Sequence, residues 1–378
     1  MKTFGTEISF PSGSWRVVCS ASAASLIAMI TPCGLAQQST GHSLSPEAGL
    51  PKNQIVATIG DVGYGGSSDL AVTPDGQYVY VANDEINSRG FADPPRAIST
   101  ATNTVAASVL DKSTTNAGIA ITPDGSTGFV TNNFEFTVSV FSVATNTVSK
   151  VIPVGYPPMY ESPEGLAISP DGTQVYVAIS SPTGTNGGYI EVIDVATLAV
   201  TSSITVGGSC QKVIFTPDGT SAFVLNSASG YGYVTQIDTA SGKVDRDKIG
   251  AGKLLFPAGM AISPDGTTLY VPTQSTYIIA FRASDGSLEK SINVFPKSVP
   301  IALQRLAGLA VTTNGKYLYV SDIGTNAITM IETATNKRLG PPIQLSFMPD
   351  NMVITPDDKY LYVGSPGNGV VIVIDITQ

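Results

Sequence analysis

The tripeptide Pro-Asp-Gly recurs at nearly constant intervals along this chain, and no other feature constrains the fold as strongly. Intact copies begin at Pro74, Pro123, Pro170, Pro217 and Pro264. Two degenerate copies, Thr-Asn-Gly and Pro-Asp-Asp, begin at Thr313 and Pro356. Neighbouring copies are 43 to 49 residues apart, and a period of this length is the signature of a repeat architecture.

Two other positions recur with the same period. A Ser or Thr precedes every copy, and an aromatic residue stands four places after the third turn residue. The aromatic residues are Tyr80, Phe129, Tyr176, Phe223, Tyr270, Tyr319 and Tyr362. Because all seven copies keep both offsets, the repeat extends through the whole chain between the first copy and the last.

Each unit has the pattern of four antiparallel strands. An apolar run such as 165–168 leads into the Pro-Asp-Gly turn, in which Pro presets φ, Asp bonds its own backbone and Gly takes the left-handed conformation. A strand rich in β-branched and aromatic residues follows, as at 78–81, and then a third strand such as 137–141. An Ala-Thr-Asn turn at 144–146 leads to an outer strand at 148–154. The sequence therefore predicts an all-β fold, a seven-bladed β-propeller of four-stranded antiparallel blades.

The last unit lacks a fourth strand, because the chain ends soon after the third one, 370–376. An apolar segment without a partner, 54–60, precedes the first unit and has the character of an outer strand. We predict that this N-terminal strand completes the last blade and closes the ring, which removes two exposed sheet edges. The propeller domain then spans 54–378, with a flexible leader at 37–53.

Residues 1–36 have the composition of a secretory signal peptide. Lys2 and Arg16 precede an apolar or small-residue stretch from Val17 to Ile30, and Ala36 ends a small-residue cleavage motif. A single-span anchor is the alternative, although several Ser residues dilute the segment and a proline closes it early. We expect cleavage after Ala36, an extracytoplasmic location (periplasmic or secreted), and no membrane span in the mature chain.

Charge and cysteine content limit the partners and the redox chemistry. Removal of the signal takes away Lys2, Arg16 and Glu7 and changes the formal net charge from −9 to −10. An acidic surface repels phosphate backbones, so nucleic-acid binding is disfavoured. Cys210 is the one cysteine outside the signal. The propeller therefore has no intrachain disulfide, and we interpret Cys210 as a buried, unreactive thiol.

The segment LAVTPDGQYVYVAN (Leu70–Asn83), followed by turns of the TATNTV type, resembles the YVTN β-propeller repeat. That family includes archaeal surface-layer proteins, bacterial periplasmic propellers and haem-d1-related accessory proteins. The resemblance extends over about residues 54–378 and implies an extracytoplasmic seven-bladed propeller that recognises or scaffolds other molecules. Its motifs are the turn and packing residues of the scaffold, so they specify the fold more than the function.

The histidine and tryptophan content excludes several kinds of site from the propeller. The single histidine, His42, lies in the predicted leader, and the single tryptophan, Trp15, lies in the predicted signal. Catalysis by a Ser-His-Asp triad, a histidine-bound zinc site and a His-ligated haem all require a residue that the propeller lacks.

The loop-side ends of the inner strands are predicted to surround the mouth of an axial channel. The Pro-Asp-Gly and Ala-Thr-Asn turns share one face, so the connections of variable length share the opposite face, which is the usual binding surface. The residues that we place at the mouth are Asp69, Glu164, Lys212, Asp350 and Asn351. The plainer interpretation is that these carboxylates solvate the opening or cap backbone N–H groups.

The variable loops contain four predicted contact residues. In GYPPMYESPEG (155–165), Met159 and Tyr160 stand beside Glu161, and Tyr and Met are common interface anchors. Arg305 ends another variable loop. Simple packing over the mouth is the alternative role for the first loop.

Two hypotheses about function follow. The first is a noncatalytic exported propeller, expected to be a monomer, that binds a protein, a surface polymer or a small ligand through its variable loops. The second is a lactonase-like hydrolase in which Ca²⁺ at the mouth activates water or polarises a carbonyl. Glu164, Asp350 and Asn351 supply the hard oxygen ligands that suit this ion. The histidine motif typical of seven-bladed lactonases is missing, which favours the binding module.

Overall fold

The chain forms β-strands in the order that the repeat predicts. The structure, a computed structural model, describes residues 49–63, 67–83, 93–109, 115–157, 161–181, 187–228, 231–296, 298–365 and 367–378. Within these ranges 28 strands form seven four-stranded antiparallel sheets, and a 3₁₀ turn spans Ile301–Leu303. None of the described residues belongs to a helix that is long and apolar enough to cross a bilayer.

The sheets are the blades of the ring, and each takes its number from its Pro-Asp-Gly copy. Blades 1 and 2 contain β2 (Ser67–Val72), β3 (Tyr78–Asn83), β4 (Arg96–Ser99) and β5 (Thr104–Ser108), then β6 (Asn116–Ile121), β7 (Thr127–Asn132), β8 (Thr137–Ser142) and β9 (Thr147–Pro153). Blades 3 and 4 contain β10 (Ser162–Ile168), β11 (Gln174–Ser180), β12 (Tyr189–Asp194) and β13 (Ala199–Thr205), then β14 (Ser209–Phe215), β15 (Ser221–Ala228), β16 (Tyr231–Asp238) and β17 (Lys243–Leu255). Blades 5 and 6 contain β18 (Ala261–Ile262), β19 (Thr268–Pro272), β20 (Tyr277–Arg282) and β21 (Leu288–Asn293), then β22 (Leu306–Val311), β23 (Tyr317–Asp322), β24 (Ala327–Glu332) and β25 (Lys337–Gln344). Blade 7 contains β26 (Met352–Ile354), β27 (Tyr360–Ser365), β28 (Val370–Asp375) and β1 (Gln54–Ile59).

Strand β1 completes blade 7, as the sequence predicts. It pairs antiparallel with β28, with Ile59 opposite Val371. Just before β1, the Lys52 N–H donates to the Thr377 carbonyl oxygen (2.9 Å). The inner strands β26 and β2 are in contact, so the last blade adjoins the first and the sheets form a closed ring.

The recurring aromatic residue fills the gap between neighbouring blades. Tyr80 of blade 1 packs in one cluster with Val130 and Phe141 of blade 2, and Tyr362 of blade 7 packs with Val79 of blade 1. All seven aromatic residues at this position are at most 4% exposed. Full burial of a large apolar side chain stabilises a fold by about 1.5–3 kcal/mol, so these seams are a main source of stability.

Three of these tyrosines also join consecutive blades by a hydrogen bond from the hydroxyl group. Tyr80 donates to Asn146 Oδ1 (2.8 Å), Tyr362 donates to Asn103 Oδ1 (2.7 Å), and Tyr319 donates to Asn53 Oδ1 (2.9 Å). All three asparagines have a positive φ of 52–53°, a conformation that Asn adopts more readily than most residues. The asparagine of the Ala-Thr-Asn turn therefore has two roles, since it forms the turn and accepts the bond from the preceding blade.

The Pro-Asp-Gly turns and the turns before the outer strands lie on one face of the ring, which we name the turn face. In blade 1 the Thr73 hydroxyl donates to Asp75 Oδ1 (2.6 Å), and the Gln77 N–H donates to the same oxygen (2.9 Å). These hydrogen bonds, the one from Thr73 first, lower the pKa of Asp75. The corresponding hydroxyl bond is present in the other six blades. The recurring hydroxyl is thus a donor that holds the turn aspartate or asparagine.

The contact between successive Pro-Asp-Gly turns is altered between blades 6 and 7. At the other six junctions the turn Gly lies against the turn Pro of the preceding blade, so that a Cβ on Gly76 would be 3.4 Å from Pro356 Cδ. Between blades 6 and 7, Thr313 replaces Pro and Asp358 replaces Gly. The Thr313 N–H and hydroxyl donate to Asp358 Oδ1 (2.7 Å) and Oδ2 (2.8 Å). The two departures compensate each other, because the carboxylate accepts from the N–H group that a proline would lack.

The remaining connections lie on the opposite face, which we name the loop face. They join the second strand of a blade to its third, and the outer strand to the inner strand of the next blade. Their lengths vary, as the sequence predicts: three residues separate β13 from β14, and twelve separate β21 from β22.

Candidate functional site

Irregular backbone at the loop-face end of the inner strands shapes the mouth of the axial channel. In β2 the register shifts between Ser67 and Asp69, and similar shifts occur in β6, β10, β14 and β22. A β-bulge bends the strand and redirects the side chains beside it. The predicted mouth positions on these strands lie at or within the shifts.

The mouth position of each blade lies four residues before the recurring Ser or Thr, and it is glycine in four blades and Asp69, Lys212 or Asn351 in the other three. Three of these glycines allow the inner strands of neighbouring blades to approach closely. A Cβ on Gly118 would lie 2.9 Å from Gly165 Cα, and one on Gly165 would lie 2.7 Å from the Gln211 carbonyl oxygen. One on Gly308 would lie 2.3 Å from the Asp350 carbonyl oxygen. Because a real Cβ needs more than 3.0 Å, these positions have no room for a side chain.

The three mouth positions with polar side chains meet across the channel. Lys212 Nζ lies 2.6 Å from Asn351 Oδ1 and 3.7 Å from Asp69 Oδ1. The Ile119 N–H donates to Asp69 Oδ2 (3.4 Å). Lys212, Asn351 and Asp69 belong to blades 4, 7 and 1, and we name this group the axial bridge. The structure therefore brings together three of the five residues that the sequence placed at the mouth.

Asp350 adds a second carboxyl group beside the axial bridge. Burial raises the pKa of Asp350 to about 6; the Lys212 ammonium group opposes this shift and the Asp69 carboxylate adds to it. Burial also raises the pKa of Asp69, against Lys212 and the hydrogen bonds from the N–H groups of Ile119 and Leu70. The mouth therefore holds two carboxyl groups and one ammonium group. Because the carboxylates are poorly solvated there, each binds a proton more tightly than it would in water.

A cavity of about 320 Å³ extends from the axial bridge toward the turn face. Asp69, Lys212 and Asn351 line its polar end. The residues beyond them include Ala120, Ala167, Ile214, Met260 and Leu309. Its volume is at the lower end of the range for small-ligand pockets, roughly 300–1,000 Å³.

Glu164, another predicted mouth residue, lies on β10 next to Gly165. The Ser162 hydroxyl donates to Glu164 Oε1 (3.2 Å), and the Glu164 carbonyl oxygen accepts from the Thr131 hydroxyl (2.7 Å). The cavity wall contributed by blade 3 begins at Gly165. Glu164 is therefore held by its own blade and by blade 2.

The predicted calcium ligands were Glu164, Asp350 and Asn351. The Lys212 ammonium group already contacts the side-chain oxygen of Asn351. Across the part of the chain that the structure describes, no group of three or more His, Cys, Asp or Glu side chains is placed to hold a metal ion. The calcium site stays a prediction that a titration can test.

The predicted contact loop after β9 is described only in part. Met159 and Tyr160 lie outside the described residues. Glu161 accepts hydrogen bonds from the Tyr189 hydroxyl (2.8 Å) and the Ser181 hydroxyl (3.3 Å). Its carboxylate is therefore oriented by its own blade rather than directed freely into solvent.

A second set of polar residues, which the sequence reasoning missed, stands three places after the recurring aromatic. Asn83 Nδ2 donates to the carbonyl oxygens of Val62 (3.0 Å) and Pro94 (3.2 Å). Asp322 Oδ1 accepts from the backbone N–H of Arg305 (3.3 Å), whose own side chain is exposed on the loop face. Both polar residues are buried. The signal was available, because this position is Asn, Asp, Ser or Thr in six of the seven units.

Cys210 is fully buried, which confirms the interpretation of an unreactive thiol. Burial raises the pKa of this thiol to about 12. Its Sγ atom lies 3.3 Å from Asn226 Oδ1. Since the thiolate is the reactive form, a thiol with so high a pKa is chemically inert at neutral pH.

Seven four-stranded blades around a narrow axial cavity define the class of this protein, a β-propeller. No protein-family model matches the sequence, and no curated protein matches it. Among solved structures, the chain is similar to "Kuenenia stuttgartiensis Hydrazine Synthase", with a TM-score of 0.69 and 21% identity over 90% of this chain and 99% of that chain. A likeness at this level of identity shows a shared fold and says nothing about activity.

Proposed function

We propose that this protein is an exported β-propeller of the YVTN type that acts as a noncatalytic binding or scaffold module through its loop face. The axial bridge is the observation that supports this most strongly. Its ammonium group contacts side-chain oxygens that a metal ion at the mouth would use as ligands.

The Lys212 ammonium group contacts oxygen atoms that such an ion would need as ligands. Its Nζ atom lies 2.6 Å from Asn351 Oδ1 and 3.7 Å from Asp69 Oδ1. Ca²⁺ requires roughly six to eight oxygen ligands at about 2.3–2.6 Å, and an ammonium group at this distance repels it. The mouth is therefore arranged as a polar contact between three blades. The variable loops are left as the surface for recognition.

Calorimetric titration with CaCl₂ tests this proposal. We expect no stoichiometric binding by the wild-type protein. In Lys212→Met, a long uncharged side chain replaces the ammonium group, and we expect weak Ca²⁺ binding because Asp69 and Asp350 lose their counter-ion. Tight binding by the wild type that is abolished by Glu164→Gln would contradict the proposal. It would support the calcium-dependent, lactonase-like hydrolase instead.

The partner of a loop-face module is a protein, a surface polymer or a small ligand. The formal net charge of −9 disfavours nucleic acid. Of these classes, a protein partner fits the apolar and aromatic side chains that several loops expose.

Export is the second part of the proposal, and it rests on the composition of residues 1–36. N-terminal sequencing of the exported protein is expected to begin at Gln37. Ala36→Arg, which places a large charged side chain at the cleavage point, is expected to leave the signal attached. A wild-type product that keeps residues 1–36 and stays in the membrane fraction would indicate an anchor.

A further inference from the structure

Large apolar side chains are exposed on the loop face of blades 4, 5 and 6. They are Tyr231 (56% exposed), Phe256 (53%), Tyr277 (41%), Ile301 (83%) and Leu303 (45%). Tyr231, Phe256 and Tyr277 stand at or beside strand ends on this face, and Ile301 and Leu303 belong to the 3₁₀ turn between β21 and β22. Single exposed apolar residues are ordinary, but several on adjacent loops indicate an interaction site.

Backbone and side-chain contacts connect these loops into one surface. Tyr231 at the start of β16 pairs with Leu255 at the end of β17, directly before Phe256. The Gln274 N–H of blade 5 donates to the Leu255 carbonyl oxygen (3.0 Å). The Thr276 hydroxyl, next to Tyr277, donates to Gln304 Oε1 (2.6 Å), next to Leu303. We name the five exposed residues the apolar sector.

The charged residues in the loops of the apolar sector are cationic. Residues 250–260, 272–277 and 293–305 contain no Asp or Glu. Lys253 and Arg305 are exposed there, and among the described residues neither side chain belongs to an ion pair. The Asp322 carboxylate accepts from the backbone N–H of Arg305 (3.3 Å) but forms no ion pair with its guanidinium group.

The loops of blades 1 to 3 have the opposite charge. Asp61 and Glu135 are exposed on this part of the loop face, and Glu161 stands between β9 and β10. Arg96, a cation on this side, lies 3.9 Å from Asp93. An acidic partner is therefore repelled by one half of the loop face and attracted to the other.

We propose that the apolar sector docks an acidic segment of a partner protein in which apolar side chains alternate with carboxylates. The proposal rests on the binding function proposed above and names the chemistry of the partner. Tyr231, Phe256 and Tyr277 supply rigid aromatic contact area, and Ile301 supplies the most exposed anchor. Lys253 and Arg305 pair with carboxylates of the segment. Complementary charge of this kind steers association and fixes the orientation of the partner.

A display library of random twelve-residue peptides, selected against the mature protein, tests the proposal without a known partner. We expect the enriched peptides to be acidic and to contain Leu, Ile, Phe or Trp. Their affinity, measured with fluorescein-labelled synthetic copies by anisotropy, is expected to fall at least tenfold in Phe256→Ser/Ile301→Ser and at least fivefold in Arg305→Glu. It is also expected to fall as NaCl is raised.

Matched controls distinguish binding at the apolar sector from nonspecific hydrophobic binding and from a nonspecific effect of surface charge. Val151→Ser and Val200→Ser remove apolar side chains of 48% and 38% exposure from outer strands, and Lys150→Glu reverses an exposed charge on β9. None of the three is expected to change peptide affinity by more than twofold. Thermal unfolding should be unchanged in all variants, because the altered side chains are exposed.

Four outcomes would overturn the inference. Enriched peptides that are basic or uncharged would contradict the charge argument, and peptides that bind Phe256→Ser/Ile301→Ser normally would contradict the location. If those peptides instead lose binding in Phe134→Ser on blade 2, the proposed binding function stands and only the sector is wrong. Selection without any enriched peptide would count against both. A dimer in sedimentation velocity that the double variant abolishes would show that a second copy covers the sector.

Discussion

The turn face and the loop face are built from the same seven repeats, but their polar groups are satisfied in different ways. On the turn face the aspartate or asparagine in the middle of each Pro-Asp-Gly copy is held by the hydroxyl of its own blade, as Asp75 is by Thr73. At the mouth on the loop face, Asp69 meets Lys212 from three blades further along the chain. Local partners recur with every copy of the repeat, whereas partners across the axis exist only once. The hydrogen bonds of the turn face therefore belong to the repeated fold, whereas the contacts at the mouth occur once in the molecule.

The difference extends to the sign of the pKa shifts. Hydrogen bonds, the one from the preceding hydroxyl first, lower the pKa of the turn-face aspartates Asp75, Asp124, Asp171, Asp218 and Asp265. Burial raises the pKa of Asp69 and Asp350 at the mouth. A charged aspartate therefore stabilises the fold on the turn face and destabilises it at the mouth.

The largest effect is expected from the seams that both faces depend on. Tyr362→Ala removes a buried ring between blades 7 and 1 and is expected to lower the free energy of unfolding by about 3–5 kcal/mol. Tyr231→Ala, a matched change at an exposed loop-face position, is expected to cost less than about 0.5 kcal/mol. Urea unfolding measures both. Equal losses would show that the loop face contributes to stability as much as the seams do.

A smaller effect is expected where inner strands approach each other at the mouth. In Gly308→Ala the new Cβ meets the Asp350 carbonyl oxygen at 2.3 Å, and we expect a loss of about 1–3 kcal/mol from the strain of overpacking. Gly60→Ala is the control, since nothing lies within 4 Å of its Cβ. Thermal unfolding compares the two. A neutral Gly308→Ala would mean that the mouth relaxes easily.

The pH dependence of stability is expected to have opposite signs on the two faces. The folded pKa of Asp350, about 6, lies above its unfolded value of 3.8, so ionisation between these pH values destabilises the fold. Asp350→Asn should be more stable than the wild type at pH 7 by about 1–2 kcal/mol, since one pKa unit corresponds to about 1.4 kcal/mol and the cavity solvates part of the charge. The advantage should disappear near pH 4.

Asp171→Asn is the turn-face counterpart, and its effect should run the other way. The folded pKa of Asp171 is lowered, so its charged form stabilises the fold above the unfolded pKa and that stability is lost as the pH falls. The variant is expected to be slightly less stable than the wild type at pH 7 and to converge with it in acid. Melting temperatures measured from pH 3 to pH 8 compare both pairs. Shifts of the same sign would contradict the electrostatic contrast.

The smallest effect is expected at the altered junction between blades 6 and 7. A double-mutant cycle of Thr313→Pro and Asp358→Gly should show a coupling of about 0.5–1 kcal/mol, because each single change leaves the other residue without its partner. The double variant restores the Pro and Gly of the other junctions. Additive effects would show that the hydrogen bonds between Thr313 and Asp358 contribute nothing to stability.

The fold could be predicted in detail because its signals are local. The left-handed conformation of Gly76 and the hydroxyl of Thr73 act within their own turn, and Tyr80 is recognised by its fixed distance from that turn. For the site, the sequence predicted the position of the mouth residues but not which of them contact one another. Asp69, Lys212 and Asn351 do meet, whereas Glu164 is engaged by Ser162 and lies beside the cavity wall rather than in it.

The exposure of the apolar sector could not be predicted from the repeat. Tyr231 and Tyr277 stand outside the recurring aromatic position that is buried in every blade, and the repeat pattern makes no prediction for the loops in which they lie. Exposure there depends on the conformation of the loops of blades 4 to 6, which the turn motifs do not encode.

The sequence by itself determined seven blades, four strands in each, and closure by the segment at residues 54–60, because turn chemistry and periodicity are read from neighbouring residues. Only the tertiary structure decided that Lys212 bonds Asn351, 139 residues away, and that both lie beside Asp350 at a half-buried mouth. Such contacts depend on the radius of the ring and the bulges of its inner strands. These are set when all seven blades pack together.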